Sequence, residues 1–108
     1  MIFTKQSIEA IRAGRKTETR RVWKRAHAKV GGVYVATESR WFKPPTDAPR
    51  IRVTEVRLEP LSAIEGNLAA IRREGFNSWG QFFDTWCNLH GRYDPNQKVY
   101  VVRFELVS

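Results

Sequence analysis

One cysteine, two histidines and the absence of any long apolar run exclude several kinds of protein at once. No stretch approaches the roughly eighteen apolar residues that a membrane-spanning helix needs, so no membrane association is expected. The start, MIFTKQSIEA, carries no apolar segment of signal-peptide length. Cys87 alone cannot form an internal disulfide, so the fold does not lean on an oxidising compartment and a cytoplasmic location is expected. Histidine is too scarce for an all-imidazole metal site. Cys87 and His90 have i, i+3 spacing on a helix, but with His27 as the other histidine a tetrahedral set would need carboxylates. No metal or other cofactor is expected. Cys87, beside Trp86, reads as a small buried residue, and a Cys–His nucleophile pair has no support nearby. There is no glycine-rich phosphate loop, since Gly31-Gly32 is a bare turn signal.

Acid is also scarce where base is dense. Between Arg12 and Lys29 lie Arg12, Arg15, Lys16, Arg20, Arg21, Lys24, Arg25 and Lys29, opposed by Glu18 alone, which accounts for nearly all of the formal charge of +8. Such a field gathers anionic partners, nucleic acid or nucleotide-like ligands first among them. A solvated, solubilising face is the simpler alternative.

With 108 residues and 42% hydrophobic content, one domain spanning residues 1–108 and one core are expected. Ile2-Phe3 reads as a short strand. Ser7 is a plausible N-cap for a short helix ending near Gly14. Lys16 to Val22 reads as a loop entering a strand, and Val33 to Glu38 as a strand. Ile51 to Leu58 alternates and then slips phase, as at a bulge or barrel bend. Leu68 to Arg73 is a helix stopped by Gly75. In the next helix, Ser78 to Leu89, Trp79, Phe82, Phe83 and Trp86 recur at three and four and form one apolar face. Val99 to Val107 closes the chain as a strand in which Tyr100, Val102, Phe104 and Leu106 alternate. Mixed elements without regular strand–helix alternation indicate an α+β domain, a curled sheet or small barrel with helices packed outside.

Reactive candidates begin with GRKTETRR, Gly14 to Arg21. A lysine acts as a base only as the neutral amine, a form that burial and inward-pointing Arg15, Arg20 or Arg21 would favour. If the loop bends between Lys16 and Thr19, Lys16 takes the hydroxyl proton and Thr19 attacks a carbonyl. Lys16 could equally meet a phosphate, with Thr19 an ordinary turn residue. Glu74, between Arg72-Arg73 and Gly75-Phe76, is either a surface ion-pair partner or a buried acid able to protonate a leaving amine. Trp23 and Trp41 sit among basic or loop residues, placed either to stack on a nucleobase or to pack on the core.

At Gly14-Arg15-Lys16-Thr17-x-Thr19-x-Arg21 the chain resembles the ASCH family, domains with a PUA-like β-barrel fold. The likeness runs on through the turn at Val30 to Val33, the strand Ile51 to Leu61, the segment Glu74-Gly75-Phe76 with Trp79, Phe82 and Phe83, and the final strand Val99 to Val107. The resemblance implies a small mixed barrel with outer helices and a single ASCH domain. Some members are associated with RNA binding or ribonuclease activity. One small branch consists of N(4)-acetylcytidine amidohydrolases, which release cytidine and a carboxylate without a metal. That branch's lysine base, threonine nucleophile and glutamate proton donor fall on Lys16, Thr19 and Glu74. The implied substrate is an N(4)-acylated cytosine nucleoside, with Arg15, Arg20 and Arg21 holding the oxyanion or polar base groups and Trp23 and Trp41 binding the substrate. The alternatives are an RNA-binding or ribonuclease domain, in which Arg12 to Lys29 tracks phosphates, and an accessory domain without catalysis.

Overall fold

The computed structural model describes residues 1–39 and 43–107. Among the described residues three α-helices and four strands follow the order α1 (Lys5–Arg12), β1 (Glu18–Arg21), β2 (Val33–Val35), β3 (Arg50–Pro60), α2 (Leu68–Arg73), α3 (Trp79–His90) and β4 (Lys98–Leu106), with a short 3-10 helix, Leu61–Ile64, between β3 and α2. All strand pairs in the sheet are antiparallel and the order is β1-β4-β3-β2. The α+β class expected from the sequence is what forms. The barrel is not closed. The outer strands β1 and β2 have four and three residues, too few to curl round and pair with each other, so among the described residues the sheet is open.

Long β3 carries the phase slip read from the sequence. Its register against β4 shifts between Val53 and Glu55, where one extra residue is accommodated as a bulge. β4 is central, and both its faces are covered. Val99 and Val101 pack with Leu61, Ile64, Ala70, Ile71, Phe82 and Trp86 on the side of α2 and α3. Val102 packs with Val53 and Ala28, and Phe104 with Phe3, Ile11 and Ile51, on the other side. Simple alternation in β4 therefore undercounts its buried residues, as expected for a strand with no solvent face.

The N-cap of α1 is Thr4 rather than Ser7: the Thr4 hydroxyl accepts from the Ser7 backbone N–H at 3.1 Å. Ile2 makes an isolated parallel bridge to Thr37, and β2 stops at Val35, short of the expected Glu38. In α3, Phe82 and Trp86 are buried whereas Phe83 reaches the surface, so the apolar face is narrower than its spacing suggests. Cys87 is half-buried rather than fully enclosed. No helix among the described residues is long and apolar enough to cross a membrane.

Candidate active site

Two glycine-dependent turns bring Lys16 and Glu74 together from opposite halves of the chain. At the end of α1, Gly14 adopts φ +77° and the N–H groups of Arg15 and Lys16 both donate to the Ala10 carbonyl. That turn delivers Lys16 beneath the C-terminus of α2. Glu74 caps α2, and its carbonyl accepts from Lys16 Nζ at 2.9 Å while its Oε1 accepts from the same nitrogen at 3.0 Å. A cation at a helix C-terminus satisfies an orphan carbonyl and complements the helix dipole. Gly75 then leaves the helix at φ +97°, and a Cβ there would stand 3.3 Å from Lys16 Cβ. Gly75→Ala is expected to cost about 1–2 kcal/mol through the left-handed backbone alone, read as a lowered midpoint in denaturant unfolding, and to push Lys16 off Glu74.

Lys16, Thr19 and Glu74 are each 5% exposed and line one cavity of about 430 Å³. Alternation along β1 sends Glu18 and Arg20 to one face and Thr19 and Arg21 to the other. Because β1 is an edge strand, the cavity along that edge takes Arg20 from one face and Thr19 and Arg21 from the other. Lys16 and Thr19 thus border the same cavity. The two are not hydrogen-bonded to each other: Lys16 bonds Glu74, and Thr19 Oγ1 accepts from Arg21 Nε at 3.2 Å.

The arginines divide into different roles. Arg15 is exposed and absent from the lining of this cavity. Arg20 is buried and consumed by carboxylates: Nη1 donates to Glu18 Oε1 at 2.8 Å and to Glu74 Oε2 at 3.0 Å, and Nη2 to Glu59 Oε1 at 3.2 Å. Burial alone would lower the pKa of Arg20, but Glu74 and Glu18 outweigh it and raise it. The cationic surroundings expected for Lys16 are thus replaced by a carboxylate; Arg20 lines the cavity with both of its Nη atoms on carboxylates, and Arg15 borders a neighbouring hollow instead. Arg21 differs. It makes no ion pair among the described residues, donates from Nη2 to the Ile2 carbonyl at 2.7 Å and lies over the Phe3 ring. Burial lowers its pKa, with the charge of Glu74 opposing the effect; an arginine so placed stays cationic.

Trp23 does not enter the cavity. It packs edge-on against His27 and tilted against Tyr100, beside the Ala28–Val53–Val102 cluster. Trp23 is thus partly buried at the core edge, and Trp41 lies outside the described residues. The cavity's aromatic wall comes instead from Phe3, Phe76, Phe82 and Trp86, with His90 against Trp86 at 4.0 Å between ring centroids. Burial and the charge of Arg21 hold His90 below the ordinary imidazole value.

Glu18, in the sequence only a stray charge, is an organising residue of the fold. It is 0% exposed, and its Oε2 accepts from Arg73 Nε at 3.1 Å and Arg103 Nε at 3.2 Å while Oε1 takes Arg20. A single acid amid eight bases is the signal that could have marked it.

The structure resembles the crystal structure of an ASCH domain from Lactobacillus crispatus JV V101, with TM-score 0.63 and 19% identity over 94% of this chain and 70% of that one. It also resembles hypothetical protein PH0355 (TM-score 0.67, 18% identity, 97% and 94% of the two chains). A third likeness is to protein EF3133 from Enterococcus faecalis V583 (TM-score 0.62, 19% identity, 94% and 70%). At these identities the likeness is one of fold: an α+β domain folded like the ASCH domain of Lactobacillus crispatus. No family model matches the chain, and no curated protein matches it in sequence.

Proposed function

We propose that this chain is an amidohydrolase that cleaves the exocyclic amide of N(4)-acetylcytidine or a related N(4)-acylated cytosine nucleoside. The observation that carries the reading is that Glu74, distant in sequence, meets Lys16 and Thr19 in the wall of one cavity. The resemblance to the small amidohydrolase branch supports it.

The chemistry needs no metal. A proton passing from Lys16 to Glu74 along their hydrogen bond leaves an amine beside a carboxylic acid. The Lys16 amine, on a flexible four-carbon stem, turns to Thr19 and takes its hydroxyl proton. That proton is free to leave, since the Thr19 bond to Arg21 is one in which the hydroxyl oxygen accepts. Thr19 Oγ1 attacks the amide carbon, and the oxyanion forms beside Arg21, a cavity-lining cation with no carboxylate partner among the described residues. Glu74 protonates N(4), the C–N bond breaks, and the acyl group remains as an ester on Thr19. In the second half Glu74 takes a proton from water, hydroxide attacks the ester, and Thr19 departs with the proton held by Lys16. Acid and amine are restored.

Incubation with N(4)-acetylcytidine, followed by the ultraviolet change on deacylation, tests the reading; turnover is the expected result. A second reading, RNA binding, draws on the five basic residues of the Arg12–Lys29 stretch that stay exposed: Arg12, Arg15, Lys24, Arg25 and Lys29. Salt-sensitive binding to an RNA oligonucleotide with no nucleoside turnover would favour it instead.

A further inference from the structure

Beside the reacting cavity lies a second hollow of about 450 Å³, and Lys16, Glu74 and Phe76 border both. The two hollows differ in what else they contain. Thr19 and the charged Arg20, Arg21 and Glu38 border the first alone, as do the aromatic Phe3, Phe82 and Trp86. Gln6, Arg15 and Asn88 border the second alone, and their side chains have no intramolecular partner among the described residues.

We infer that the aromatic hollow holds the acyl portion of the substrate and the polar hollow its nucleoside, so that the preferred substrate carries an acyl group larger than acetyl. The inference rests on the amidohydrolase reading and goes beyond it. In an acyl transfer, the carbonyl carbon must lie against the nucleophile and the leaving nitrogen against the acid. Thr19 belongs to the aromatic hollow and Glu74 to the boundary. The scissile bond therefore points from the aromatic side to the divide, and whatever is attached to the nitrogen continues into the polar side. The chemistry of the walls agrees with that direction. Phe3, Phe82 and Trp86 suit an apolar chain or ring, whereas a cytosine edge and ribose hydroxyls suit amide and guanidinium donors. An acetyl methyl would leave most of the 430 Å³ to water.

The test is kcat/KM of the full chain for N(4)-acetyl-, N(4)-butanoyl-, N(4)-hexanoyl- and N(4)-benzoylcytidine. Each methylene buried in the aromatic hollow is expected to raise kcat/KM by about fourfold until the hollow fills, so hexanoyl should exceed acetyl by at least about tenfold. Turnover of the acetyl compound with flat or falling values for the longer ones would overturn this inference and leave the amidohydrolase reading standing; no turnover of any compound would overturn both. Two variants check the direction. Val22→Trp, at an exposed residue lining only the aromatic hollow, should cut the hexanoyl-to-acetyl ratio by about tenfold. Asn88→Ala, in the polar hollow, should lower all four values and leave the ratio within about twofold. The opposite pattern would place the acyl group on the polar side and sink the inference.

Discussion

Thr19→Ala should lower kcat for an N(4)-acylcytidine by at least about 10³-fold while leaving KM within a few fold. A nucleophile that forms a covalent bond contributes in the transition state and little to ground-state binding, and removing one from a catalytic set costs up to about 10⁶-fold in kcat. Thr19 is buried and its Oγ1 accepts from Arg21 Nε, so the variant should lose about 1 kcal/mol of stability and still unfold cooperatively. Lys16→Ala should fall by a similar factor. The double variant should lose little more than either single one, because a base without its nucleophile has no proton to take. Comparable turnover by Thr19→Ala and the parent protein would remove Thr19 from the mechanism. Loss of turnover on Lys16→Ala with full activity on Thr19→Ala would point instead to water as the attacking group.

Glu18→Ala should destabilise the domain by about 3–5 kcal/mol, a larger loss than that expected of Gly75→Ala. Deleting this carboxylate leaves Arg20, Arg73 and Arg103 facing one another without the acid that they share; Arg20 keeps Glu59 and Glu74, so the loss comes from the repulsion among the three cations and the unpaired Arg73 and Arg103. For a domain of this size the loss corresponds to a fall in Tm of more than about 10 °C. Glu18→Gln keeps the shape and is expected to cost less. The same residue makes stability acid-sensitive. Burial alone would raise the Glu18 pKa, but the charges and hydrogen bonds of Arg20 and Arg73 more than reverse that and lower it from the ordinary value of 4.5. With the folded pKa depressed, the unfolded chain binds the proton first as pH falls. Its contribution is therefore complete above about pH 4.5 and is lost progressively below it, towards the folded pKa. Denaturant unfolding across that window should show a steep loss in the parent protein and a shallower one in Glu18→Gln. Equal slopes would show that other carboxylates set the acid limit.

The two cases differ in how much the sequence foretells. Lys16, Thr19 and Glu74 are legible as types at recognisable spacings. Their meeting is not, since 58 residues separate Lys16 from Glu74. Arg20 shows the same limit: an arginine beside candidate reacting groups suggests substrate contact, and nothing in the sequence tells that Glu18, Glu59 and Glu74 all bind it. Trp23 is ambiguous because an indole flanked by bases fits a stacking surface and a core edge equally well. The open edge at β1 escapes pattern reasoning altogether, because sheet order is a property of long-range pairing.

By itself the sequence determined the local order: where helices stop at glycine, where β3 slips phase, the mixed α and β character, and a concentration of charge with one acid inside it. These follow from short-range sterics, alternation and composition. Only the tertiary structure decided which charges face one another, that β1 lies at an edge where both of its faces reach a cavity, and that the sheet stays open. Those outcomes depend on which distant segments share buried space, where an unpaired charge is too costly to leave alone.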